Sequence, residues 1–97
     1  MTVITETTLK SGQEATWDAA FKERLADARQ QPGWVGLVLL IPEQQLQSRV
    51  VVGTWQSKQD WERWHTTEPF KRTRKTMDAA TENHGEDRWF NVVKETF

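Results

Sequence analysis

Cysteine and tyrosine are both missing from this 97-residue chain. Without thiols there is no disulfide, no thiolate zinc site, no iron–sulfur ligand and no cysteine nucleophile. Proline occurs 3 times and glycine 5 times, and neither gathers into a linker or a low-complexity tract. No apolar run approaches the roughly 20 residues that a membrane-spanning helix needs. Met1 to Glu6 lacks a basic segment followed by an apolar one, so no secretory signal is read and a cytoplasmic location is expected. Charge of one sign is lacking too: 13 Lys and Arg stand against 14 Asp and Glu, for a net charge of -1. A module that grips phosphates carries a basic excess, so nucleic acid is set aside as a partner. The length fits one domain over residues 1–97, and about 65% of the unfolded surface should be buried on folding.

What is present in excess is tryptophan. Trp17, Trp34, Trp55, Trp61, Trp64 and Trp89 accompany four phenylalanines. Each buried aromatic removes about 150–250 Å² from water. A chain this short that invests so much in large rings fills a few big volumes or lines a flat cavity.

Hydrophobic periodicity gives the element order. Thr2 to Lys10 alternates, with Val3, Thr5, Thr7 and Leu9 on one side, and reads as a strand. Ser11-Gly12-Gln13-Glu14 matches a capping box. The helix it predicts runs to about Gln30 with Trp17, Phe21, Leu25 and Ala28 on one stripe, and Gln31-Pro32-Gly33 stops it. Trp34 to Ile41 and Ser48 to Trp55 are apolar on both sides and form an antiparallel hairpin. Ser57-Lys58-Gln59-Asp60 opens a second helix, which Pro69 breaks near Thr66-Thr67. Its continuation from Phe70 to about Glu82 carries Phe70, Thr73 and Met77 on one stripe, ended by Asn83-His84-Gly85. Asp87 to Phe97 reads as the last strand.

The order is β-α-β-β-α-β, an α+β, ferredoxin-like arrangement with a four-stranded antiparallel sheet. Two helices cover one side of such a sheet, and the other should then be polar. Three of the four strands are instead apolar on both sides. The bare side calls for a cover, and a second copy of the chain is the simplest one.

The stretch Val51-Val52-Gly53-Thr54-Trp55-Gln56-Ser57-Lys58-Gln59-Asp60-Trp61-Glu62-Arg63-Trp64, followed by Thr67-Glu68-Pro69-Phe70, resembles the antibiotic biosynthesis monooxygenase family. Pro32-Gly33-Trp34-Val35-Gly36 is similar to that family's entry into its second strand. The resemblance implies a homodimer whose sheets close into a dimeric α+β barrel, with a pocket between sheet and helices in each protomer. It also implies, for the quinol-oxidising members, chemistry with no metal or flavin, in which the bound substrate's own anion reduces O₂. A haem-degrading branch uses an Asn on the first strand, a Trp on the second helix and a His ten residues later. Trp64 matches the Trp, Arg74 stands at the His position and Thr7 (or Glu6, one residue off) at the Asn position. Two of the three marks are missing, so haem cleavage by that scheme is not expected.

Trp64 would be the wall against which a planar substrate stacks or would, like Trp61 beside it, pack the helix onto the sheet. Trp17, Phe21 and Phe70 face the same layer. His65 is the histidine on a regular element and the natural proton acceptor near pH 7. Successive helix residues point about 100° apart, so Trp64 and His65 should not face the pocket equally, and a helix-rim place is expected for His65. His65-x-x-Glu68 is half of a metal-binding pattern without a second half, and no metal is expected. His84 is explained as a helix C-terminal residue before Gly85. Lys71, Arg72, Arg74 and Lys75 form a solvated face, from which Arg74 is set apart by its position in the resemblance. Its guanidinium there would hold a phenolate, a carboxylate or a superoxide-like anion. Thr7 and Asn91 are expected to add hydrogen bonds from strands. The reading is a cofactor-independent monooxygenase for an aromatic quinol or phenol, with Trp64, Arg74 and His65 as catalytic residues. The alternative is a dimeric module that binds a hydrophobic ligand or haem without turnover.

Overall fold

A computed structural model describes residues 1–93. Its elements are β1 (Thr2–Leu9), α1 (Glu14–Ala28), β2 (Trp34–Leu40), β3 (Ser48–Trp55), α2 (Lys58–His65), α3 (Glu68–Ala79), β4 (Thr81–His84) and β5 (Arg88–Phe90). The expected α+β, ferredoxin-like order is there, with the second helix and the final strand each in two pieces. All pairings are antiparallel, in the order β2-β3-β1-β4, and β5 also pairs with β1.

The two halves of the final strand follow one edge of β1. Thr7 lies opposite His84 and Thr8 opposite Asn83; farther along, Val3 lies opposite Trp89 and Thr2 opposite Phe90. The sequence expectation of a helix to about Glu82 and one strand from Asp87 to Phe97 is thus corrected. The helix ends at Ala79 because the chain is drawn onto β1: the Lys10 amide donates to the Ala80 carbonyl at 2.9 Å. Thr81 also donates its hydroxyl to the Met77 carbonyl at 2.7 Å, satisfying an end that would otherwise be open. The expected strand residues 94–97 lie outside the described residues.

The start of α1 is corrected as well. Gln13, without a side-chain cap, precedes the helix. Gly12 takes a positive φ of 82°, turning the chain so that the Ser11 cap does not form. The second cap is as expected. Ser57 Oγ accepts from the Asp60 amide at 3.2 Å and donates to Asp60 Oδ2 at 2.9 Å. Pro69 sits in the first turn of α3, where a missing N–H costs nothing.

Antiparallel partners share a side of the sheet. The register therefore puts Val3, Thr5, Thr7 and Leu9 of β1 with Arg49, Val51, Gly53 and Trp55 of β3 and Leu37 and Leu39 of β2. The helices cover this side. One buried cluster joins Leu9, Trp17, Ala20, Phe21, Met77 and Ala80; a second joins Ala28, Trp55, Trp64 and Phe70. Arg49 ties α1 to the sheet: Nε and Nη2 grip the two oxygens of Asp18 at 2.9 and 3.0 Å, and Nη1 donates to the carbonyls of Leu46 and Ser48. On the other side stand Ile4, Val38, Leu40, Val50 and Val52. Val38 is 53% exposed and Leu40 50%, so nothing among the described residues covers this side. Among the described residues, no helix is long and apolar enough to cross a membrane.

Candidate active site

Between the sheet and the helices lies a cavity of about 590 Å³, a size ordinary for a small-molecule site. The floor is β1 and β3: Val3, Thr5, Thr7, Val51, Gly53 and Trp55. From α1 come Trp17, Phe21 and Arg24; from α2 Trp61, Trp64 and His65; from α3 Phe70, Arg74, Met77 and Asp78. The β4 edge contributes Thr81, Glu82 and His84, and Asp87 follows.

One wall is built of aromatic rings in several contacting pairs. Trp64 lies 5.3 Å from Trp55 in a near-stacked pair, and Phe70 meets Trp64 edge-on at 4.7 Å. Trp17 stacks on Phe21 at 5.1 Å and an angle of 9°. Trp61 meets Trp89 edge-on at 5.0 Å. Aromatic pairs in these geometries add about 0.5–1.5 kcal/mol beyond burial. Trp64 is fixed further, because its indole N–H donates to Asp27 Oδ2 across to α1 at 3.2 Å.

His65 sits within this wall, its ring centre 3.8 Å from Trp61, 4.1 Å from Phe70 and 5.1 Å from Trp64. Its Nδ1 is 2.7 Å from the Trp61 carbonyl. A carbonyl only accepts, so Nδ1 carries the proton, and in the neutral ring the lone pair is on Nε2. Burial pushes the His65 pKa below 6.5, aided by the positive charges of Arg24 and Arg74 and opposed by the Trp61 hydrogen bond and Asp87. The imidazole is therefore neutral at pH 7.

Part of the cavity lining is polar. Thr7 Oγ1 lies 3.2 Å from His84 Nδ1, and the Thr5 hydroxyl donates to Asp87 Oδ1 at 2.6 Å. Among the described residues, no three His, Cys, Asp or Glu side chains are grouped to hold a metal ion.

The model of the antibiotic biosynthesis monooxygenases matches residues 1–76, most of the chain. The chain belongs to this family. A solved antibiotic biosynthesis monooxygenase superposes with a TM-score of 0.86 at 18% identity, covering 95% of this chain and 97% of that one. SnoaB, a cofactor-independent oxygenase from Streptomyces nogalater, superposes with a TM-score of 0.81 at 22% identity, covering 97% and 96%. Identities this low speak for the shared fold. No curated protein matches the chain.

In this antibiotic biosynthesis monooxygenase chain, eight of the nine residues singled out in the sequence line the cavity: Thr7, Trp17, Phe21, Trp61, Trp64, His65, Phe70 and Arg74. Trp64 and His65 both do so despite their angular separation. Asn91 does not. It follows the last paired residue of β5 and is exposed, so no ladder holds it towards the cavity. Among the lining residues that the sequence reading did not single out are His84 and Arg24. His84 reads in sequence as a helix stop, yet β4 pairing carries it to Thr7. Arg24 lies three residues after Phe21 and four before Ala28 on the apolar stripe, a signal that was available in the spacing.

Proposed function

We propose that this chain is a cofactor-independent monooxygenase that oxidises a phenol- or quinol-type aromatic with O₂ in the sheet–helix cavity. The observation that carries the reading is a neutral histidine set in an aromatic wall. His65 is held by the Trp61 carbonyl, with no partner on its acceptor nitrogen among the described residues, beside the rings of Trp64 and Phe70. A planar ring stacked on this wall brings its hydroxyl to His65, which takes the proton. The phenolate, favoured by the guanidinium of Arg74 at the cavity edge, passes one electron to O₂. The two radicals couple as a hydroperoxide on a ring carbon. Loss of that carbon's proton and departure of the outer oxygen as water leave a quinone. One oxygen atom of O₂ enters the product and the other leaves in water, so no outside reductant is consumed.

The uncovered sheet face suits a homodimer, in which Val38, Leu40, Val50 and Val52 of one protomer meet those of its partner. Closing that face stiffens the floor beneath the cavity. Oxygen uptake by the purified chain with a panel of phenols and naphthols tests the function. Substrate-dependent uptake above heat-killed protein is expected, with kcat reduced at least tenfold in His65→Asn. Saturable binding without uptake would instead select the reading of a ligand-binding module.

A further inference from the structure

Arg24 is a half-buried cation without a carboxylate partner among the described residues. It emerges from the apolar face of α1 and lies with its guanidinium carbon 4.0 Å over the Phe70 ring. Its Nε donates to Thr73 Oγ1 at 3.0 Å. Thr73 is buried, and its own hydroxyl proton goes to the backbone carbonyl of Phe70 at 3.0 Å or Pro69 at 3.3 Å. The hydroxyl thus orients the guanidinium and leaves both Nη groups, with four N–H bonds, to point elsewhere. Among the described residues neither Nη has a hydrogen-bond partner, and no carboxylate forms an ion pair with Arg24.

Burying a cation is costly unless something compensates it. The compensation inside the chain is partial. The Phe70 face contributes a cation–π contact, and Asp78 on α3 acts at a distance, while Arg74 on the same helix opposes it. The balance leaves the Arg24 pKa lowered to about 10, chiefly by burial. The neighbouring pairs show the alternative: Arg72 reaches Glu23 at 3.2 Å, and Arg49 is gripped by Asp18 at 2.9 Å. Arg24 is built into the cavity lining without such a partner.

We propose that Arg24 holds a carboxylate carried by the substrate's aromatic ring, so that the ligand is an aryl carboxylic acid and not a neutral phenol. The proposal rests on the cavity being an aromatic-binding site and names the class of aromatic. Two free Nη groups in one plane match the two oxygens of a carboxylate. Arg74, whose guanidinium carbon lies 5.5 Å from the centre of the same Phe70 ring, adds positive potential without occupying the position. Arg24 and His65 both adjoin the Phe70 ring, at 4.0 and 4.1 Å from its centre. A substrate held by its carboxylate at Arg24 therefore spans the ring and sets its hydroxyl towards the imidazole.

The test uses two matched probes, 6-hydroxy-2-naphthoate and 6-hydroxy-2-naphthamide, which differ in charge and scarcely in shape. Binding to the full chain is read by quenching of tryptophan fluorescence, without oxygen and without turnover. The wild type is expected to prefer the carboxylate about tenfold or more. Arg24→Gln should remove the preference while leaving the amide's Kd within twofold, and Arg24→Lys should keep part of it. Equal affinities in the wild type overturn the proposal and need no variant to do so. A full preference surviving in a folded Arg24→Gln also overturns it. The amide reports separately on the cavity: if neither probe binds, the aromatic site itself is rejected and Arg24 with it.

Discussion

The indole N–H of Trp64 donates to Asp27 Oδ2 at 3.2 Å, tying the helix after the β2–β3 hairpin to the helix before it. Trp64 is 6% exposed, so a lost acceptor leaves a buried donor poorly satisfied. The bond therefore acts on both the fold and the orientation of the ring that walls the cavity. Asp27→Ala should lower stability by about 1–3 kcal/mol, a fall of several degrees in Tm for a chain of this length. It should also weaken binding of the naphthalene probes. Asp27→Asn keeps an acceptor oxygen and should lose less of both. Thermal unfolding and fluorescence titration read the two effects separately.

His65 makes stability and activity depend on pH in one direction. Its folded pKa lies below the unfolded value of 6.5, because burial disfavours the cation. Between the two values the unfolded chain binds more protons, so stability rises with pH through that window and falls as pH drops below about 6.5. Above 6.5 the contribution is constant. The neutral imidazole is also the proton acceptor, so the acid limb of kcat/KM should lie below pH 6.5. Replacing His65 by Asn should flatten the fall of Tm between pH 6.5 and 5 relative to the wild type. A wild-type acid limb above pH 6.5 would remove His65 as the base.

Local chemistry made much of this fold legible. The period-2 pattern of Val3, Thr5, Thr7 and Leu9, the Ser57 cap and the break before Pro69 each follow from neighbours in sequence. The positions of Trp17, Phe21 and Phe70 along the cavity follow from helical spacing. What was hidden depends on distant partners. Thr81–His84 carries turn-like residues and becomes a strand because β1 offers an unpaired edge. The contact of His84 with Thr7 spans 77 positions and exists only through that register. Arg24 escaped for another reason, since a stripe counted in apolar residues passes over a charged one whose function requires burial.

Gly33 shows why the Pro32-Gly33-Trp34 segment matters to α2. Its φ is +85°, and a Cβ there would stand 2.5 Å from the Asp60 Cβ and 2.3 Å from its carboxylate. Asp60 is the residue that completes the Ser57 cap, so a clash at its Cβ cannot be relieved by rotating the carboxylate alone. Gly33→Ala adds left-handed strain of about 1–2 kcal/mol and pushes the first turn of α2, with Trp61, Trp64 and His65 behind it. The variant should lose stability by at least that amount and bind the probes more weakly than Asp60→Ala, which removes only the carboxylate's bond from Ser57 Oγ and leaves the backbone cap in place. Equal thermal stability of Gly33→Ala and the wild type would contradict this account.

Val38 and Val52 face each other across the β2–β3 ladder on the side that no helix covers. Val38 is 53% exposed in the single chain, so exchange for Glu should alter the isolated fold by only about 0.5 kcal/mol. In a dimer closed over this face, the same carboxylate would be buried without a counter-ion, which costs far more. Val38→Glu should therefore separate assembly from folding: its circular dichroism should match that of the wild type while its sedimenting mass halves. Wild-type chain sedimenting at low micromolar concentration should have twice the 11.4 kDa mass. A folded wild-type particle of one chain mass would show that this apolar face stays open to solvent, and the proposed dimer would have to be abandoned.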